Sequence, residues 1–461
     1  MNVNQMFRYL NIGLPDDIYR RKVAGDFFGA IRLIDRRLDM GNLPEPLRYS
    51  LIVQREICRR MPADYPYTRE EALSVLREKV PDFTDEEFDR CVEEGKIGWI
   101  YVNGRMQFFN RFFASMCKTD PGFAVRAGVM LPGVESTVSS FGGKNRLDYC
   151  VHQIKEKGIL KNRIRIRASV RMKDECFTPG VFVRVHLPIP AACEQQSDIV
   201  IEKMEPPCGK IAPQDALQRT ICFEETMKEN HSFSVVYSYV YTASYHDTEK
   251  MHGEGKQPDF FTQEEPPHIV FTPYIRELVG QLSGDIEDPM EKARRFYDYI
   301  TQNMKYSFMP AYFNLEHIAD SCARNCLVDC GVFSLLFLTM CRCAKIPACW
   351  QSGLTAEPDF CGAHDWVRFY VAPYGWLYAD PSYGIAAVRN QNEERRKFYF
   401  GNLDAYRMAA NRAFQAPFTI EKQHWRADPY DNQVGEMETE TKGLEYDEFL
   451  CMKEVLMCEE M

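Results

Sequence analysis

No stretch of the 461-residue chain approaches the roughly 18 consecutive apolar residues that a membrane-spanning helix needs. The N-terminus has no uninterrupted apolar run before Asp16 and Asp17, so it does not read as a signal peptide. A dense Lys/Arg run is missing too. Lys and Arg number 56 against 66 Asp and Glu, the formal charge is −10, and a phosphate backbone would find little to bind. Also absent are an internal repeat, an EF-hand loop, and C-x2-C pairs in the cysteine-rich region, which argues against a repeat array, a calcium site and a structural zinc site. The 17 Cys form no repeating framework, and seven of them crowd between Cys322 and Cys361. Such crowding would risk scrambled disulfides in an oxidising compartment, so the expectation is a cytoplasmic protein with no membrane or nucleic-acid partner.

What is present suffices for several cores. Hydrophobic residues make up 45% and aromatics 13%, and the length suggests about three folded units. Helical spacing dominates from Asp16 to Cys117, with Val23, Phe27, Phe28, Ile31 and Ile34 on one stripe. Thr68 with Glu71, and Thr84 with Glu87, predict capping boxes at the starts of two helices. Asn103-Gly104 between apolar runs predicts a tight hairpin. Helices followed by a hairpin resemble a winged helix, but residues 84–95 carry Asp85, Glu86, Glu87, Asp89, Glu93 and Glu94 against Arg90 alone, which repels DNA. A packing or protein-contact module is the better reading.

Residues 120–160 read as a Gly-containing connector. From Arg163 to Tyr245 the period becomes two, with Pro188, Pro190, Pro206, Pro207 and Pro213 as punctuation, which predicts an antiparallel, sandwich-like unit. Residues 247–267 read as a polar linker.

The chemistry concentrates after Asp288. Val332 to Met340 are apolar nearly all round, as in a helix buried inside a domain, and Cys330 stands at its N-terminal edge, where the helix dipole favours a thiolate. His364, Trp366, Arg368 and Tyr370 alternate on one strand, and Trp376, Tyr378 and Asp380 fall plausibly beside them on the next. The opposite face, with Val367, Phe369, Val371, Leu377 and Ala379, is a natural seat for the Cys330 helix. His364 and Asp380 on neighbouring strands can hydrogen-bond and leave one ring nitrogen for the thiol. Cys322, Cys326 and Cys330, with Cys341 and Cys343, could alternatively hold zinc, although their spacing suits it poorly.

Asp329-Cys330-Gly331, Ala344 to Ala348, His364-Asp365-Trp366 and Gly375 to Gly384, in this order, resemble the transglutaminase-like superfamily, and Phe398 to Asp404 look like its bacterial branch. The resemblance covers about 280–430. It implies Cys330 as nucleophile, His364 as base and acid, and Asp380 as the orienting residue. The expected activity is acyl transfer or hydrolysis on a glutamine carboxamide or peptide amide through a thioester, with a protein or peptide substrate and no cofactor or metal. Gln351, Trp366 and Tyr306 are the candidate substrate-binding residues, and the Cys330 N–H and Tyr306 are candidate oxyanion donors. An interaction scaffold that no longer turns over is the alternative. The expected fold is α+β and multidomain: an N-terminal helical module with a hairpin (1–120), an antiparallel β unit (160–275), a papain-like transglutaminase core (280–430) and an acidic C-terminal tail (431–461).

Overall fold

The structure, a computed structural model, describes residues 2–129, 145–254 and 256–461. The N-terminal part runs α1 (Asp16–Val23), α2 (Phe27–Asp39), α3 (Glu45–Asp64), α4 (Arg69–Lys79), α5 (Asp85–Glu93), the hairpin β1 (Trp99–Val102) and β2 (Arg105–Phe108), then α6 (Phe112–Thr119) and α7 (Pro121–Arg126). The box at Thr68 closes in both directions, with the Thr68 N–H donating to Glu71 at 2.8 Å. At α5 only half of it forms. Thr84 Oγ1 accepts from the Glu87 N–H at 3.1 Å, while the Glu87 carboxylate turns to Arg126. The hairpin turn has φ of 49° at Asn103 and 87° at Gly104, the left-handed pair that a type I′ turn requires.

The first residues do not stay within a separate helical module. Met6, Phe7 and Leu10 are buried in the main core, and the Phe7 ring sits edge-on to Phe313 at 4.8 Å and Trp425 at 5.8 Å. The presumed connector is partly helical, holding α7 and α8 (Arg146–Lys157); its residues 130–144 lie outside the described residues.

The strands and helices that follow build two β layers and the helical core. The strands are β3 (Ile159–Met172), β4 (Val181–Pro188), β5 (Gln196–Glu205), β6 (Lys210–Ile211), β7 (Thr220–Met227) and β8 (Ser232–Ser244); β3 alternates in burial as the period-two pattern predicts, while β4, β7 and β8 carry continuous buried runs. The stretch read as a linker is docked rather than free: the Ala348 N–H donates to the Phe261 carbonyl at 3.1 Å, and the Phe260 ring lies 5.8 Å from Trp376. Beyond it come α9 (Pro273–Ser283), α10 (Pro289–Asn303), β9 (Lys305–Tyr306), α11 (Ile318–Asn325), β10 (Leu327–Val328) and α12 (Cys330–Cys343). Next are β11 (Ala348–Glu357), β12 (Phe360–Val371), β13 (Gly375–Ala379), α13 (Pro381–Arg389), α14 (Glu393–Phe398), β14 (Phe400–Gly401) and β15 (Arg407–Asn411).

These last strands form one antiparallel sheet in the order β14-β13-β12-β11-β15. Helix α12 packs on its β11–β12 face, with the rings of Phe337 and Phe369 5.7 Å apart. Every residue from Gly331 to Arg342 is buried, because sheet and helices enclose α12 on all sides.

The C-terminal residues are not an acidic tail. The strands β16 (Glu436–Thr439) and β17 (Phe449–Glu460) complete the two sandwich sheets, ordered β16-β4-β7-β6 and β17-β3-β8-β5. Phe449 pairs with Met172 and Glu460 with Asn162, so the Glu-rich composition reflects an edge strand with one wet side. Among the described residues, no helix is long and apolar enough to cross a membrane.

Candidate active site

Cys330 opens α12, and the preceding residue caps it: Asp329 Oδ1 accepts from the Val332 N–H at 3.3 Å and from the Tyr312 hydroxyl. Gly331 is required by crowding. A Cβ there would stand 3.0 Å from Asp365 Oδ2 and run into the Tyr312 hydroxyl.

Two polar groups meet the sulfur. The Asp365 carboxyl and the Tyr306 hydroxyl both stand beside the sulfur and interact with it. Burial pushes the Cys330 thiol well above the ordinary thiol range, and the Asp365 and Asp329 carboxylates push in the same direction. The helix terminus therefore does not favour a thiolate in this conformation, as its dipole alone would suggest; burial, with the surrounding acids, outweighs it.

Asp365 belongs to a buried acid cluster. Gln433 Nε2 donates to Asp365 and, at 2.7 Å, to Asp431 Oδ2, while Ser352 Oγ donates to Asp431. Burial raises both carboxyls, and the Asp431 charge further disfavours ionisation of Asp365. Asp329 is pushed up to about 6 by burial, with Tyr312, Val332 and Arg111 opposing.

A second constellation forms around His364. Asp380 caps α13, accepting the Tyr383 N–H at 2.9 Å, and its Oδ2 accepts His364 Nε2–H at 2.7 Å and Arg407 Nη1 at 2.8 Å. Burial works to raise the Asp380 carboxyl, but His364 and Arg407 outweigh it and hold the group below its usual range. Arg407 is fully buried and also bonds Asp404 through Nε at 3.0 Å. The Tyr383 ring stacks obliquely 4.8 Å from the imidazole. With Nε2 committed to a carboxylate, Nδ1 is the nitrogen left for proton transfer.

The structure thus joins His364 to Asp380 but does not hydrogen-bond Cys330 to His364. Their separation follows from the strand. His364 pairs with Gly353 and Asp365 with Ser352, and successive side chains leave opposite faces of β12, so the residue presented to the thiol is Asp365.

Residues 276–381 match the model of the transglutaminase-like superfamily. This span holds Cys330, His364 and Asp380. No curated protein matches the chain in sequence. Among solved structures, the chain is similar to a candidate cysteine protease from Cytophaga hutchinsonii at 12% identity, covering 66% of this chain and 90% of that one with a TM-score of 0.39. The periplasmic domain of TgpA from Pseudomonas aeruginosa is similar at 12% identity over 54% of this chain and 96% of that one, TM-score 0.29. A candidate protease from Parabacteroides distasonis is similar at 11% identity over 49% of this chain and 60% of that one, TM-score 0.22.

Within the span that matches the transglutaminase-like model, two expected substrate contacts are misplaced. Gln351 and Trp366 are fully buried and do not line an open cleft, because the β-sandwich covers their face of the sheet. Gln351 Oε1 accepts Trp366 Nε1–H at 2.6 Å and a bond from Gln195, and Tyr378 donates to Gln195 at 2.7 Å. Tyr306, by contrast, stands beside the sulfur. Among the described residues, no group of three or more His, Cys, Asp or Glu is placed to hold a metal ion.

Sequence reasoning missed Asp365, Asp431, Gln433 and Arg407. Alternation already placed Asp365 on the helix side of β12, which was a usable signal. Arg407, Asp431 and Gln433 come from segments after the motifs and carry no pattern of their own.

Proposed function

We propose that the chain carries out cysteine-dependent acyl transfer or hydrolysis on a carboxamide or peptide amide. The observation that carries this reading is the occurrence, within the span matching the transglutaminase-like model, of a cysteine at the mouth of a buried helix and a His–Asp pair already bonded at 2.7 Å. In the proposed cycle the sulfur first exchanges Asp365 for His364 Nδ1, which takes the thiol proton. The thiolate attacks the carbonyl, the Cys330 N–H and Tyr306 hydroxyl support the oxyanion, and His364 returns the proton to the departing amine. Asp380, held by Arg407, keeps the imidazole in its Nε2–H tautomer. Water or a Lys amine then discharges the thioester.

The test is ammonia release and amine incorporation on a glutamine-containing peptide, compared between the native chain and Cys330→Ala. Loss of both signals in the variant is expected; equal signals would sink the reading. That no hydrogen bond joins the thiol to His364 favours one second reading, an interaction scaffold without turnover. A chain that binds partners equally well with Cys330→Ala and shows no acyl chemistry would establish it.

A further inference from the structure

Two cations from the N-terminal helices reach the rim above Cys330. Arg111 precedes α6 and Lys118 lies in its last turn. Helix α6 is fixed against the strand leading to the site, since the Phe308 N–H donates to Ser115 Oγ at 3.2 Å. This places the Arg111 guanidinium 3.4 Å from the Phe308 ring centre and the Lys118 ammonium 5.7 Å from that of Tyr306, the residue touching the sulfur. The Tyr306 and Phe308 rings are themselves edge to face at 5.7 Å.

Most cations of this acidic chain have a carboxylate partner, for instance Arg59 with Glu56 and Arg126 with Glu87. Arg111 and Lys118 form no such ion pair among the described residues. The groups that favour the Arg111 charge are those of the site: Tyr306, Asp329 and Cys330. Lys118 is half-buried, and the Arg389 and Arg111 charges repel it. Partial burial beside like charges costs free energy that a bound anion would recover. Asp329 and Asp365 are the thiol's acidic neighbours, so the site combines buried acids with these two cations.

We propose that Arg111 and Lys118 receive a carboxylate carried by the acyl donor next to the reacting carbonyl, which makes acidic amides or peptides the substrate class. The inference rests on the reading of Cys330 as nucleophile. It also gives the N-terminal helices a role, as one wall of the site.

Iodoacetate and iodoacetamide probe this directly, because both alkylate sulfur and only the first carries a carboxylate. Their rates at Cys330 are measured on the full chain by peptide mass spectrometry at low and high salt. The ratio of iodoacetate to iodoacetamide rates should be about five- to tenfold higher in the native protein than in Arg111→Met/Lys118→Met, the effect of unit charges several ångströms away at intermediate dielectric. It should persist in Arg111→Lys/Lys118→Arg and fall in roughly 1 M salt. Equal ratios in the native and double-Met proteins, or a native ratio insensitive to salt, overturn the inference and leave the thiol reading intact. The salt comparison decides the matter even if the double variant misfolds. Absence of alkylation by either reagent up to about pH 9.5 overturns both.

Discussion

Replacing Asp365 with Asn should move the Cys330 thiol more than any other single change near the site. In the native fold the thiol stands beside this carboxyl and feels the Asp329 charge as well. A full negative charge roughly 4 Å from a thiolate, at an effective dielectric of about 20, costs about 4 kcal/mol, equivalent to about three pH units. Burial and the Asp431 charge raise Asp365 well above its usual range, so it presents less than a full charge, and the expected fall is about one to two pH units. The sign is fixed: removing a negative neighbour favours the thiolate, so the pH at which Cys330 becomes reactive must drop. The assay is the pH profile of iodoacetamide alkylation at Cys330, resolved from the other 16 cysteines by peptide mass. The native midpoint should lie above the ordinary thiol range. A midpoint in Asp365→Asn that is unchanged or higher would refute the assignment of Asp365 as the group that keeps this thiol protonated.

Other perturbations test the frame around it. Arg407→Met leaves Asp380 and Asp404 buried without their shared cation and should cost about 3–5 kcal/mol in urea unfolding; a cost near zero would show the pair to be solvated. Phe337→Ala empties a fully buried site on α12 and should cost about 3–5 kcal/mol by the same assay. Glu357 is pushed up to about 7 by burial and by Asp404, against Arg146 and Arg407. Between its usual range and pH 7 the folded chain therefore holds a proton that the unfolded chain has released, and stability falls as pH rises through that window. Glu357→Gln should remove this slope, a gain of at most about 3 kcal/mol at pH 8, and an undiminished slope in the variant would place the titration elsewhere.

The motif order Asp329-Cys330-Gly331, His364-Asp365-Trp366 and Asp380 led directly to the buried helix and to the His364–Asp380 bond, because both depend on local periodicity and on neighbouring strands. Alternation along β12 was also readable, but its consequence was drawn for His364 and not for Asp365, which is the side chain facing the helix. Burial of Gln351 and Trp366 was not legible, since it depends on the β-sandwich closing over that face of the sheet. The C-terminal strand was hidden for a related reason: residues 449–460 alternate, but their many Glu side chains belong to an edge strand whose partner β3 lies almost 300 residues earlier. Arg111 and Lys118 were unremarkable on a helix until the packing of α6 brought them to the rim.

The central claim is that Cys330 accepts the acyl group. Mass spectrometry of the full chain after exposure to the p-nitrophenyl ester of N-acetylglutamine addresses it without requiring the natural substrate. One added acyl group on the Cys330 peptide, released by hydroxylamine and missing from Cys330→Ala, is the predicted result. Acylation distributed over other cysteines, or undiminished in Cys330→Ala, would contradict the account.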